Sequence, residues 1–352
     1  MAYVAARGGE QAVQNAEALA LRHLQSVTPG QIAWVQEHLS LLIDRVMGEG
    51  SLYAPELAAL ALVQSGGELA EAVLLLRAYR STQPRTATAE TLTDAHLLTV
   101  RRVSAAFKDI PGGQHLGPTL DYSHRTLRLE LLDGGQTNLP GVEQAAQPAP
   151  RQASSVAHWL RQEGLLSPRP AEPAAELPDV TREPLLFPAP RGARLQSLAR
   201  AETGGVLTLG YANMVGYSGV HPTVGEVRLS HAEVRLRHPV TGEAFSAGRV
   251  RVSRGEIVSP EYGEGTRGLK LGFCATLGWN ETKLIAGGVL DLAMNAPDAH
   301  PALREEFVLG HTESVEASGF CLHFKLPHYV TFASELDRIR SGALNTAAEV
   351  TP

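Results

Sequence analysis

Residues 225–258, GEVRLSHAEVRLRHPVTGEAFSAGRVRVSRGEIV, decide the fold of this chain. Apolar and polar side chains alternate before and after the 239–243 segment, as they do in strands that bury one face. The segment itself, PVTGE, has the composition of a turn. We therefore predict an antiparallel sheet, with further strands at 204–217 and 269–278.

The first hundred residues are predicted to be helical. Thr28 and Pro29 are a typical N-cap and first-turn pair, and apolar residues then recur every three or four positions as far as Gly48. Pro55 opens a second predicted helix, and 68–82 form a third. Their faces are rich in Ala and Leu, so we expect them to pack within the chain or against other subunits.

Residues 93–132 are predicted to form a helix over 93–110 and a strand over 126–132, where leucines alternate with charged residues. The loop between them contains three glycines and carries His115, Asp121, His124 and Arg125. A polar loop of this kind is either plain surface or a segment on which a site is built.

Ten of the 22 prolines fall between residues 140 and 190, which excludes regular structure from most of this stretch, apart from a short helix at 155–164. Further on, Asn280 is predicted to cap a helix, and 333–344 form a C-terminal helix. We divide the chain into a helical region at 1–135, a connection at 136–177 and a third region at 178–352. Helices followed by a mostly antiparallel sheet with flanking helices make an α+β fold.

The composition, 43% hydrophobic and 19% charged, is that of a soluble globular protein. Cys274 and Cys321 are far apart, so we expect no disulfide framework and a reducing, cytoplasmic location. We expect no signal peptide and no membrane span. A net charge of −6 gives no general reason to expect nucleic-acid binding.

Familiar catalytic motifs do not explain the sequence. GEGTRG at 263–268 matches the letters of a dinucleotide-binding fingerprint, but no helix is predicted after it, so we interpret it as a loop between strands. Phosphate-binding, zinc-protease and serine-hydrolase motifs are absent. A guanidinium can donate two parallel hydrogen bonds to the oxygens of one phosphate. Each basic residue of this region is therefore either an ordinary solvated or ion-paired surface charge or a candidate for anion binding: Arg101, Arg102, Lys108, Arg125, Arg77 and Arg80.

The segment 305–332 contains His311, His323 and His328 beside Cys321. On a helix, the second and third of these histidines would point about 140° apart, and on a strand they would face opposite sides. One interpretation is a strand that ends in a proline-bearing turn, with each ring making local contacts. The other is a shared metal site, which needs a turn between the rings and ligands from elsewhere.

The sequence resembles the PhnI family, the I subunit of the bacterial carbon–phosphorus lyase core complex. The resemblance covers almost the whole chain in order, except 136–176. It rests on these segments: YVAARGGE at 3–10, DRVM at 44–47, LLRAYR at 75–80, KDIPGGQ at 108–114, LGPT at 116–119, DYSHR at 121–125, EEFVL at 305–309 and HFKLPHYV at 323–330.

The resemblance implies a role in phosphonate breakdown. Together with subunits G, H and L, the family member displaces the purine of ATP and attaches methylphosphonate at C1′, giving ribose 1-methylphosphonate 5-triphosphate. Alone, it acts as a purine nucleosidase on ATP or GTP. It joins subunits G, H and J in a core with two copies of each, with subunit K also associated. Iron–sulfur and radical chemistry belong to subunit J.

The resemblance also implies cofactors and site residues. A zinc ion at the interface with subunit J would be held by His323 and His328, with Cys321 left out of the ligand set, and Mg²⁺ would accompany ATP. Displacement of a purine passes through an oxocarbenium-like state and needs an acid for the leaving base. The candidates are Asp109, Asp121, His124 and His311 as catalytic groups, and Arg101, Lys108, Gln114, Thr119 and Arg125 as substrate-binding groups. The alternative function is a non-catalytic structural subunit whose helices and zinc site organise the complex.

Overall fold

An antiparallel sheet with strand order β1-β2-β3-β4 forms the centre of the computed structural model. The strands are β1 Leu97–Val103, β2 Thr223–Arg237, β3 Ala244–Gly263 and β4 Thr266–Leu277. The structure describes residues 8–135, 153–168, 178–217, 221–263, 266–326 and 328–349. The hairpin predicted over 225–258 is confirmed: β2 pairs with β3 from Thr223 opposite Val258 to Arg237 opposite Ala244.

One face of the sheet is apolar and packs against helix α9, Glu281–Met294. Val227 and Leu229 of β2 and Cys274 of β4 belong to this core. A Cβ added to Gly272 would lie 2.1 Å from the carbonyl oxygen of Gly288, so these glycines allow strand and helix to approach closely. The predicted cap is confirmed, since the Asn280 side chain accepts a hydrogen bond from the Lys283 backbone N–H at 3.0 Å.

The opposite face of the sheet is charged yet buried. Glu226 of β2 is fully buried and forms ion pairs with Arg102 of β1, with Arg228 (2.7 Å) and with Arg254 of β3 (3.3 Å). Burial opposes ionisation of Glu226, but the neighbouring guanidiniums outweigh it and hold the pKa of the carboxyl below its usual value. One carboxylate therefore joins three strands.

In sequence, the remaining helices come before β1, between β1 and β2, or after α9. Their bounds are α1 Gly9–Ala20, α2 Pro29–His38, α3 Ser40–Gly50, α4 Pro55–Gln64, α5 Leu69–Ser81, α6 Val156–Gln162, α7 Arg191–Arg200, α8 Thr203–Ala212, α10 Glu305–His311, α11 Ser314–Lys325 and α12 Tyr329–Glu349. Helices α3, α4 and α5 share an apolar core that includes Ile43, Met47, Leu62 and Leu76. The α+β fold, with an N-terminal helical subdomain, is confirmed.

The single helix predicted from Thr28 to Gly48 is wrong. The backbone leaves helical geometry at Leu39 (φ −110°, ψ 39°), which separates α2 from α3. The predicted second and third helices are confirmed as α4 and α5, and the short helix at 155–164 is confirmed as α6.

The predicted helix over 93–110 is wrong, because 97–103 form strand β1 against β2. Pairing with β2 and ion pairs to its arginines outweigh the local helical preference. The strand predicted over 126–132 is also wrong. No neighbouring strand faces it within the described residues, and its leucines are exposed around a 3₁₀ turn at Leu129–Leu131.

The strand predicted over 204–217 is helix α8, followed by a π-helical turn at Asn213–Tyr217. The Glu202 side chain caps α8 by accepting hydrogen bonds from the backbone N–H groups of Gly204, at 2.8 Å, and Gly205. Gly210 then lets α8 pack against Ala286 of α9. The Glu202 cap and the packing against α9, rather than the alternating pattern, determine the helical conformation of this segment.

The chain divides into two compact units, residues 1–29 with 315–352, and residues 30–314. The predicted regions 1–135, 136–177 and 178–352 remain a prediction, since part of the connection lies outside the described residues. In the first unit, the C-terminal helix predicted at 333–344 lies within α12. Across the described residues, no helix has both the length and the apolar character that a membrane span requires.

Replacing Glu226 by Gln should lower the free energy of unfolding by about 3–5 kcal/mol, because two buried guanidiniums and the half-buried one of Arg254 lose their shared carboxylate. Urea denaturation at neutral pH measures the change. Glu243→Gln, at an exposed position, is the matched control and should change stability by less than about 0.5 kcal/mol. Equal stability of the Glu226 variant and wild type would contradict the assignment.

Asp44 of α3 provides a second test. Its side chain is fully buried, and Oδ1 lies 3.0 Å from Nη2 of Arg251 on β3. Burial raises the pKa of Asp44 to about 6, although Arg251 acts in the opposite direction. Because the native carboxyl holds its proton more tightly than the unfolded one, its contribution to stability is greatest below about pH 4 and falls as pH rises toward 6.

The difference in unfolding free energy between wild type and Asp44→Asn should therefore fall by roughly 3 kcal/mol from pH 4 to pH 7. Paired denaturation curves across this range measure it. The exposed Asp133→Asn variant should show no such trend. A difference that rises with pH would mean that Arg251 lowers the pKa of Asp44 below that of the unfolded chain.

Candidate functional site

His323 and His328 come together at the junction between two helices. His323 lies in the last turn of α11, and His328 immediately precedes α12. Their Nε2 atoms are 3.4 Å apart, and both rings are exposed. The strand interpretation of this segment is wrong. The helix ends after Lys325, and this lets two rings five positions apart face each other.

The tautomer of His328 is determined by its neighbour. Its Nδ1 lies 2.6 Å from the carbonyl oxygen of Leu326, which can only accept a hydrogen bond. In the neutral ring Nδ1 therefore carries the proton, and Nε2 presents a lone pair toward His323.

This pair of nitrogens fits a metal ion. Two imidazole nitrogens bound to one tetrahedral zinc at about 2.0–2.1 Å would lie about 3.3–3.4 Å apart. The observed Nε2–Nε2 separation is 3.4 Å. A hydrogen bond in which His323 Nε2 donates to His328 Nε2 has the same separation, so the geometry allows both arrangements.

The described part of this chain does not complete a metal site. Within it, no three His, Cys, Asp or Glu side chains are grouped closely enough to hold an ion. Cys321 is exposed and lies two positions before His323 on the same helix, where side chains point away from each other. Any further ligand would come from outside the described residues, from solvent or from another chain.

Arg101 lies inside the protein, unlike a free anion-binding group. It is 3% exposed and forms ion pairs with Asp121 and with Glu281 of α9. Its Nη1 also donates to the carbonyl oxygen of Leu116 at 2.6 Å. The guanidinium thus connects β1, the following loop and α9, and it orients the Asp121 carboxylate.

Gln114 and Thr119 shape the same loop. The Gln114 side chain accepts a hydrogen bond from the Ser104 backbone N–H at 2.9 Å and donates to the carbonyl oxygen of Lys108 at 3.0 Å. Thr119 Oγ1 accepts from the Asp121 backbone N–H at 3.1 Å. The other predicted groups of the loop have exposed side chains: Lys108, Asp109, His124 and Arg125.

His311 ends helix α10 and has an exposed ring that stacks on Phe307, with ring centroids 3.9 Å apart. Its Nδ1 lies 2.7 Å from the carbonyl oxygen of Phe307, so Nδ1 carries the proton in the neutral ring. Nε2 is then the atom that could accept a proton.

A cavity of about 910 Å³ lies beside α9 and the β3–β4 hairpin, and none of the predicted site residues lines it. Its volume is within the range of small-molecule sites. The charged and polar lining includes Arg161, Ser167, Arg191, Lys270, Asp298 and His300. These residues are spread over more than a hundred positions, so no local motif could have identified them.

The sequence matches, over residues 2–345, the family described as bacterial phosphonate metabolism protein (PhnI). It is 43% identical over 368 residues to a protein of Stutzerimonas stutzeri named putative C-P lyase subunit protein HtxH, with 100% of this chain and 98% of that protein covered.

Two further relatives are named alpha-D-ribose 1-methylphosphonate 5-triphosphate synthase subunit PhnI. The protein of Rhizobium meliloti (strain 1021) is 40% identical over 356 residues, with 96% of this chain and 94% of the relative covered. The protein of Escherichia coli (strain K12) is 39% identical over 356 residues, with 96% and 97% covered.

Proposed function

Because this chain belongs to the PhnI family of bacterial phosphonate metabolism proteins, we propose that it displaces the purine of ATP as a subunit of a carbon–phosphorus lyase core complex. The observation that carries the proposal is the near full-length similarity to two relatives named as ribose 1-methylphosphonate 5-triphosphate synthase subunits.

In the proposed reaction the bond between C1′ and the purine nitrogen breaks, and an oxygen of methylphosphonate bonds to C1′. The leaving purine takes a proton, and the products are the purine and ribose 1-methylphosphonate 5-triphosphate. In the isolated chain water replaces the phosphonate. Catalysis then requires an acid near the base and remote binding of the triphosphate, with Mg²⁺ sharing its charge.

The loop after β1 offers the groups that this chemistry needs. Lys108 and Arg125 can contact anionic oxygens, and Asp109 and His124 can exchange protons, because all four side chains are exposed. Arg101, unlike these four side chains, is buried and forms an ion pair with Asp121. Their ion pair supports a role for Arg101 in orienting Asp121, which lies at the surface of the loop.

Replacing His124 by Ala should lower the rate of purine release from ATP by about 100-fold or more if it acts as the acid. Lys108→Ala should mainly raise KM, since it removes a charged contact to the substrate. Chromatography of released adenine measures both effects, and His158→Ala, at an exposed position on α6, is the control. Unchanged turnover in the His124 variant together with an unchanged KM in the Lys108 variant would remove this loop from the active site.

We also propose that His323 and His328 supply two ligands of a zinc ion whose remaining ligands come from a partner subunit. The 3.4 Å separation of their Nε2 atoms supports this assignment. The proposed partners are subunits G, H and J and a second copy of this chain, with K and L associated.

Replacing both histidines by Ala should remove zinc from the assembled core complex, as measured by elemental analysis of the purified assembly. Cys321→Ser should leave the zinc content unchanged, because this side chain lies apart from the two nitrogens. Full zinc occupancy in the double variant would show that His323 and His328 are not ligands of the zinc ion.

A second candidate function, that of a structural subunit without catalysis, is favoured by the surface of α11 and α12. Both helices present large exposed apolar side chains, including Phe320, Phe324, Tyr329, Val330, Phe332 and Ile339. Apolar surface of this extent is typical of subunit interfaces. The two candidates differ in one respect: a purely structural subunit releases no purine from ATP.

A further inference from the structure

Five arginines cluster at the C-terminal end of α5, and within the described residues two carboxylates form ion pairs with them. Arg77 and Arg80 lie on α5, Arg85 follows it, Arg182 lies in the segment before α7, and Arg200 ends α7. Glu313 forms ion pairs with Arg77 and Arg200, and Asp179 forms ion pairs with Arg85 and Arg182. Each carboxylate is already shared, so the cluster retains a formal excess of three positive charges.

The inner arginines of the cluster are held rigidly. Arg77 is largely buried, and its guanidinium donates to the carbonyl oxygens of Glu49 at 2.9 Å and Arg200 at 3.2 Å. Arg200 donates to the carbonyl oxygen of Val180 at 2.6 Å. Burial and the neighbouring Arg77 lower the pKa of Arg200 to about 10, which still leaves it charged at neutral pH.

The outer arginines remain open to solvent. The side chains of Arg85 and Arg182 are 47% and 54% exposed. Asp179, which they share, is oriented by Thr181, whose hydroxyl donates to Oδ1 at 2.6 Å. The cluster therefore has a fixed inner side and an accessible outer side.

Arg80 differs from the other four. Within the described residues it is the one member of the cluster that forms no ion pair. Its Nε, like that of Arg200, is buried without a hydrogen-bond partner. Its main electrostatic interactions are with Arg77, Arg85 and Arg182, all of the same charge, and with Asp179, of the opposite charge. Burial and, after it, the neighbouring Arg77 lower the pKa of Arg80, although Asp179 acts in the opposite direction.

We propose that Arg80 is the centre of a binding site for a polyphosphate anion, formed with Arg85, Arg182 and the inner arginines. A charged group is stable in a partly buried, like-charged position when an anion neutralises it. Guanidinium groups suit phosphate oxygens because they donate two parallel hydrogen bonds. The assignment of the anion as the triphosphate of a nucleotide rests on the proposed function, whereas the site itself rests on the arginines.

The test measures calorimetric binding of inorganic triphosphate to the purified full-length chain. Wild type should bind, with affinity that falls as salt concentration rises. Arg80→Ala should weaken binding by about 10- to 100-fold, the loss expected for one or two charged hydrogen bonds. The affinity of Arg80→Lys should lie between those of wild type and Arg80→Ala, because lysine keeps the charge but cannot donate two parallel hydrogen bonds.

Controls separate binding from folding. Arg237→Ala removes a 69% exposed arginine at the far end of β2 and should bind as wild type does. The double variant Arg85→Ala/Arg182→Ala changes exposed side chains only and should also weaken binding. Absence of triphosphate binding by wild type, or affinity of a folded Arg80→Ala variant within twofold of wild type, would overturn the proposal.

Purine release from ATP by the same proteins separates this proposal from the proposed function. Triphosphate binding that depends on Arg80, in a chain that releases no purine, would support the anion site and refute the nucleosidase. Purine release by wild type together with unchanged triphosphate binding in Arg80→Ala would refute the site and leave the function standing. A raised KM for ATP in Arg80→Ala would support both.

Discussion

Glu226 is the group on which the sheet depends, because three guanidiniums from three strands meet at its carboxylate. In the pairing of the strands, Arg102 lies opposite Arg228, and Arg228 opposite Arg254. Like charges placed opposite each other on neighbouring strands repel, and this row of arginines would destabilise the sheet if no carboxylate lay among them. The ion pairs convert a repulsive row into a connection across β1, β2 and β3.

The same charged face also holds the loop proposed to carry the chemistry. Arg102 exchanges backbone hydrogen bonds of 2.7 Å with His115, and its guanidinium donates to the carbonyl oxygens of Pro111 and Gly113. On the other side, Arg102 and Arg228 donate to the carbonyl oxygens of Ser154 and Ala153. Hydrogen bonds thus hold the start of the loop against the sheet, whereas the side chains of Lys108, Asp109 and His124 are exposed.

The sequence predicts those parts of the fold that local patterns determine. Alternation identified the β2–β3 hairpin, and Pro55 and Asn280 identified helix starts. The 97–103 segment and α8 were missed because their conformations depend on distant partners: β2 for the former, and Glu202 with α9 for the latter. A helix preference and an alternating pattern carry no information about such partners.

The candidate site shows the same division. Local spacing left two interpretations open for His323 and His328, and the family resemblance predicted them as metal ligands. The end of α11 places their rings within reach of each other. A count of basic residues could not show that Arg101 forms ion pairs with Asp121 and Glu281, or Arg102 with Glu226. It also could not show that Arg80 forms no ion pair within the part of the chain that the structure describes. Ion pairing between residues distant in sequence decides which arginines remain available for an anion.

The most direct test of the account is incubation of the purified chain alone with ATP, followed by chromatographic measurement of free adenine. The account predicts one adenine for each ribose 5-triphosphate formed, at a rate proportional to protein concentration. Adenine release no faster than in a heat-denatured sample would contradict it and would favour a structural subunit.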